Sequence, residues 1–285
     1  VKEYYTLIQP SALKANSNNP NWVIIDCRFN LNDTNYGRNE YKKGHIPGAM
    51  YAHLDEDLSG PVIQGETGRH PLPDIENLCQ KLGSWGIDNR SQVVVYDDKF
   101  GAIAARLWWL LRFLNHKKVA VLNGAWQGWL KLKYPTQTKE PKPEIKKFVP
   151  DIQESMKIDT DFIQENIQTK KDILIDSRAS ERYLGKVEPI DPIAGHIPGA
   201  INLPFAENID DCGKFLPKEK LITRFSGQHI AREKPPIFYC GSGVTACHNI
   251  LAYTHAGFGM ARLYAGSWSE WITDTNHPIQ YKVGS

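Results

Sequence analysis

Of the five cysteines in this chain, Cys27, Cys79, Cys212, Cys240 and Cys247, one stands where a thiol could act as a nucleophile. Cys240 closes the apolar run PIFY and opens CGSGVT, after which ACHNILAYTHAG has a helical pattern. A strand ending in a tight loop that feeds a helix N-terminus can turn several backbone N–H groups toward one anion, and the helix dipole adds to their field. Gly241 and Gly243 permit the backbone conformations that such a loop demands. A thiolate there is stabilised, and so is a persulfide anion. The ordinary alternative for a free cysteine is a buried core position. Cys27 and Cys79 lack the loop context and read as structural. Cys247, about two helical turns beyond Cys240, reads as core.

Other chemistry finds less footing. The odd count and wide scatter of the cysteines argue against a disulfide framework and point to a reducing compartment, with the cytoplasm as the expectation. No Cys-x-x-Cys pair and no His/Cys cluster has zinc spacing, so no metal or cofactor is called for. A cysteine phosphatase needs an arginine six residues after its nucleophile to neutralise phosphate. That position is Ala246.

The elements that must position Cys240 occur twice. NWVIIDCRFN, YKKGHIPGAMY, SQVVVYDD and KKVAVLNGAWQGW are followed in the same order by KDILIDSRAS, IAGHIPGAIN, PPIFYCGSG and ARLYAGSWSEW. Asp26 corresponds to Asp176, His45 to His196, Asp97 to Cys240 and Gly124 to Gly266. A repeat of this length is a domain rather than a solenoid unit. The Lys- and Pro-rich stretch before Pro150 suits a stiff connection. The expectation is a first domain over 1–134, a linker over 135–150 and a second domain over 151–285. Within each copy, short β-branched runs alternate with helical patterns such as Ile75 to Gly83 and Gly101 to Leu114. This predicts an α/β fold with a mostly parallel sheet flanked by helices in each domain. Asp26, Asp176, His45 and His196 recur in both halves and read as loop-fixing residues. Trp126, Trp129, Trp268 and Trp271 read as core.

The whole chain of 285 residues carries a formal net charge of +2, with 41% hydrophobic and 23% charged residues. That is too mild for a nucleic-acid or membrane-surface partner, and no apolar run reaches the roughly 18 to 20 residues of a membrane span. The N-terminal VKEYYTLIQP lacks the pattern of a signal peptide.

The repeated GHIPGA, the CGSGVT loop and the LYAGSWSEW segment together resemble the tandem rhodanese family, over about Tyr5 to Gln280. The resemblance implies two rhodanese-like domains and ping-pong sulfur transfer. A small-molecule donor gives sulfur to Cys240, and a thiol such as reduced thioredoxin, or cyanide, removes it from the persulfide. It also implies an inactive first half, which fits Asp97 at the place of Cys240. Gly241, Gly243, Val244 and Thr245 would cradle the donor. The uncharged loop is similar to that of mercaptopyruvate sulfurtransferases, whose donor is a monoanion, whereas thiosulfate sulfurtransferases carry cations there. By the same resemblance Ser242, His70 in GRHPLP and Asp55 in HLDEDL would form a proton relay. Arg182 would bind the donor. A second arginine usual in the mercaptopyruvate group is Ile190 here, which puts the donor in doubt and makes Arg69 and Lys186 candidate substitutes. A non-catalytic rhodanese-like module and a thiosulfate enzyme are the alternatives. A monomer is the expectation.

Overall fold

The β-branched runs form short, deeply buried strands, and the computed structural model describes them within residues 2–227 and 234–281. Residue 1 of the expected first domain, and residues 228–233 and 282–285 of the expected second, thus lie outside the described residues. One sheet holds β1 (Leu7–Ile8), β2 (Trp22–Asp26), β3 (Ala49–Tyr51), β4 (Gln92–Tyr96) and β5 (Val119–Leu122), in the order β1-β5-β4-β2-β3. The other holds β6 (Lys157–Ile158), β7 (Leu174–Asp176), β8 (Ile201–Asn202), β9 (Ile237–Tyr239) and β10 (Arg262–Tyr264), in the order β6-β10-β9-β7-β8. All these pairings are parallel. The two orders are the same once the copies are matched, so the duplication extends to topology.

A parallel sheet has no solvated face, which is why every residue of β4 and β9 is buried and, after Gln92, the apolar patterning there is continuous. The helix Ala104–Phe113 behind β4 and the helix Thr245–Ala256 behind β9 are buried along almost their whole length. Ile75–Ser84 and Lys218–Ser226 are amphipathic, burying Leu78 and Leu82 in one case and Leu221 and Phe225 in the other.

The chain divides into two compact units. The first is Val1–Gly60, Leu72–Gln153 and Ile209–Phe215; the second is Pro61–Pro71, Glu154–Asn208 and Leu216–Ser285. Residues 135–150 run along the first unit. Gln137 pairs with His45, and the Lys146 N–H bonds the Gly83 carbonyl at 3.0 Å.

The repeated polar residues do the same task twice. Asp26 accepts the backbone N–H and the guanidinium of Arg28; Asp176 treats Arg178 alike, with closest contacts of 2.7 and 2.6 Å. Each arginine goes on to bond a carbonyl, Gly44 or Gly195, at the head of the GHIPGA turn. It also stacks on a tryptophan, Trp126 or Trp268, at 4.8 Å. His45 and His196 each bond a tyrosine carbonyl and stack on that tyrosine ring. These are loop-fixing roles. Trp129, Trp268 and Trp271 are fully buried, and Trp126 is partly so.

Candidate active site

In the second unit, β9 ends at Tyr239 and delivers Cys240, which is 1% exposed, to the mouth of the loop. The Cys240 N–H bonds Ser267 Oγ at 3.1 Å, while the Cys240 and Gly241 carbonyls accept the N–H groups of Trp268 and Ser269. The loop is therefore pinned along the start of the helix Ser267–Trp271. Gly243 has φ of 72°, and a Cβ there would lie 2.3 Å from the Ala265 carbonyl oxygen, so only glycine fits. From inside the helix, the Cys247 thiol donates to the Gly243 carbonyl at 3.3 Å, a structural task for a buried cysteine. Val244 caps the helix and Thr245 begins it. Among the described residues, no acceptor takes the N–H of Gly241, Ser242 or Val244. Donors in a loop of this kind suit an anion.

Two groups close on this loop from Pro61–Pro71, the first-half segment that belongs to the second unit. His70 Nδ1 lies 2.7 Å from Ser242 Oγ, and both side chains are buried. The Arg69 backbone N–H bonds Ser269 Oγ at 3.0 Å, which aims its guanidinium over Gly241. A methyl group on Gly241 would come within 2.8 Å of Arg69 Nη2 and 3.5 Å of Arg182 Nη2.

Both guanidiniums are braced by buried carboxylates. Asp191 pairs with Arg69 through Oδ1 and accepts Arg182 Nη2 through Oδ2 at 3.0 Å. Glu188 takes Arg182 at 2.7 Å and Arg178 at 3.3 Å. Burial pushes the Arg69 guanidinium below its ordinary range, against an upward pull from Cys240. In Arg178 burial also opposes the charge, but Asp176 overrides it and holds the group above its ordinary range. Arg69, Arg178 and Arg182 face Asp176, Glu188 and Asp191, so the cluster is neutral as a whole. The loop carries no cation of its own, yet two guanidiniums lie against it.

Of the residues that the sequence marks as candidates, Cys240, Gly241, Ser242, Gly243, His70 and Arg182 lie together here. Of the two substitutes for the missing arginine, Arg69 faces the loop and Lys186 is an exposed residue past the helix Ser180–Tyr183. Asp55 lies in the first unit, in the helix Leu54–Asp57, with its N–H on His53 Nδ1. Glu188, Asp191 and Ser267 escaped notice. An Asp three residues after a Glu, just beyond Arg182, was the available hint. Among the described residues no group of His, Cys, Asp and Glu could hold a metal ion, and no helix is long and apolar enough to cross a membrane.

A family model for the rhodanese-like domain matches residues 9–132 and again 159–274. The chain belongs to the rhodanese family. It is 46% identical to a probable 3-mercaptopyruvate sulfurtransferase of Pseudomonas aeruginosa, over 96% of this chain and 97% of that protein. It is 34% identical to a thiosulfate sulfurtransferase of Cricetulus griseus, over 92% and 88%. The solved structure of a 3-mercaptopyruvate sulfurtransferase from Leishmania major superposes on this rhodanese with a TM-score of 0.81 at 30% identity, covering 94% of this chain and 74% of that one.

Proposed function

We propose that this rhodanese is a sulfurtransferase that takes sulfane sulfur from 3-mercaptopyruvate onto Cys240 and passes it to a thiol, such as that of reduced thioredoxin, or to cyanide. The observation that carries the reading is the Cys240 loop with unpaired N–H donors and the Ser242–His70 pair at its mouth. The thiolate attacks the donor sulfur, the carbon–sulfur bond breaks, and its electron pair remains on carbon as the pyruvate enolate. The sulfur-bound proton must then move to that carbon, leaving a persulfide anion and pyruvate. Ser242 and His70 provide a route for this proton. Asp55 is assigned as the third member of the relay on its motif alone. The acceptor attacks the outer sulfur and regenerates the Cys240 thiolate, so each sulfur delivered restores the resting enzyme.

The neutral charge balance around Arg69 and Arg182 favours a monoanionic donor over the thiosulfate dianion, and the Pseudomonas relative supports the same choice. Against it stand the two guanidiniums themselves, which would also receive a dianion; thiosulfate is therefore the second reading. All five cysteines are free, which supports a reducing, cytoplasmic setting. We assign 1–134 and 151–285, joined by 135–150, as the two domains along the sequence, with 61–71, 151–153 and 209–215 each falling in the compact unit of the other copy, and the chain acting as a monomer.

Intact-mass measurement after incubation with mercaptopyruvate should show a gain of one sulfur that Cys240→Ser abolishes. His70→Ala should lower turnover with mercaptopyruvate about a hundredfold or more. No adduct from either donor would leave only a binding module, and a higher kcat/KM for thiosulfate would replace the donor.

A further inference from the structure

Arg69 is built into the site in a way that a surface ion pair would not require. Its guanidinium is fixed at one end by Asp191 and lies over Gly241, the residue next to the nucleophile. Its Nε is buried without a hydrogen-bond partner among the described residues. A buried N–H without an acceptor is costly, and a site that keeps one in place usually serves something that binds there. Arg182, sharing Asp191, presents a second guanidinium to the same spot, with two of its nitrogens 3.5 and 3.6 Å from the Gly241 Cβ position. Arg182 gives its Nε and Nη2 to Glu188 and Asp191, so its Nη1 is what faces Gly241 beside Arg69 Nη2, and guanidinium N–H groups arriving from two sides suit the two oxygens of a carboxylate. Ile190, one residue before the shared carboxylate, is exposed and offers only its backbone N–H, to Glu188.

We infer that Arg69, delivered from Pro61–Pro71, is a donor-binding residue that pairs with Arg182 to hold the carboxylate of a 2-oxo acid, so that the arginine absent at position 190 is not needed. The assignment rests on the mercaptopyruvate reading, but its test does not depend on turnover. Pyruvate, the 2-oxo acid left when the sulfur departs, can be titrated calorimetrically into the whole chain. Its uncharged amide serves as the control. Loss of a charged hydrogen-bonding partner in Arg69→Gln should weaken pyruvate by about 10- to 100-fold. Binding of the amide should change less than about twofold, because it has no charge for Arg69 to answer. Arg69→Lys, which keeps charge but loses the fork, should fall between, and it decides the matter if Arg69→Gln does not fold. Unchanged pyruvate affinity, equal loss of pyruvate and amide, or no pyruvate binding by the native chain would each overturn the inference. A native chain that binds pyruvate but gains no sulfur would instead sink the proposed activity and leave the carboxylate site standing.

Discussion

The loops that follow β4 and β9 occupy the same place in the two copies and have opposite fates. After β4, Asp97 folds its carboxylate back into its own loop. Oδ1 accepts the N–H groups of Lys99 and Gly101, and Oδ2 those of Ile103 and Ala104, all between 2.8 and 2.9 Å. The anion cradle is filled from within. After β9, a cysteine replaces the aspartate, and its side chain is too short and too weak an acceptor to do this. The N–H groups of Gly241, Ser242 and Val244 are left without acceptors among the described residues. One backbone design satisfies itself in the first copy and leaves donors open in the second.

The contrast can be broken most severely by exchanging the residues. A Cys240→Ser/Asp97→Cys double variant should gain no sulfur by intact mass, and turnover should fall more than about a thousandfold, since a thiol alone does not make the site. A sulfur adduct at position 97 would show that the two loops are equivalent after all. Next in size is the structural debt of the filled loop. Asp97→Ala strands four N–H groups and should cost on the order of 3 to 5 kcal/mol in urea unfolding. Cys240→Ala should cost about 1 kcal/mol; similar costs for both would deny that only one loop depends on its side chain. The smallest effect concerns charge. Asp191→Asn leaves the arginine cluster with one net positive charge, so the kcat/KM ratio of thiosulfate to mercaptopyruvate should rise about three- to tenfold. A ratio that stays put would remove the electrostatic argument for the monoanion.

Sequence patterning reaches this contrast only part of the way. Strand-end position, flanking glycines and the following helix are local features, so Cys240 and the parallel sheets could be read from PIFYCGSGVT and its repeat. That Asp97 cannot carry sulfur was equally plain. What Asp97 does instead was not, because four backbone donors converging on one carboxylate leave no trace in residue type. The pairing of Arg69 with Asp191 was hidden for another reason. It joins segments distant in the chain: Arg69 in GRHPLP is a candidate by its place beside His70, but residue type does not show that the fold brings Gly241 beneath it. His70 and Ser242 were linked through likeness to a family, and the 2.7 Å contact gives that link a geometry.

The placement of Pro61–Pro71 in the second unit bears on how the protein comes to be. These residues leave the ribosome long before β6 to β10 exist, and chains fold largely in the order they are made. Arg69 and His70 must therefore wait, without their partners, while most of the remaining sequence is synthesised. Closing so long a loop costs only slightly more entropy than closing a short one, but it comes late. Newly made chains should acquire their sheets before these contacts, and a Cys240 loop without Arg69 and His70 beside it is what a half-finished molecule would present to the cell.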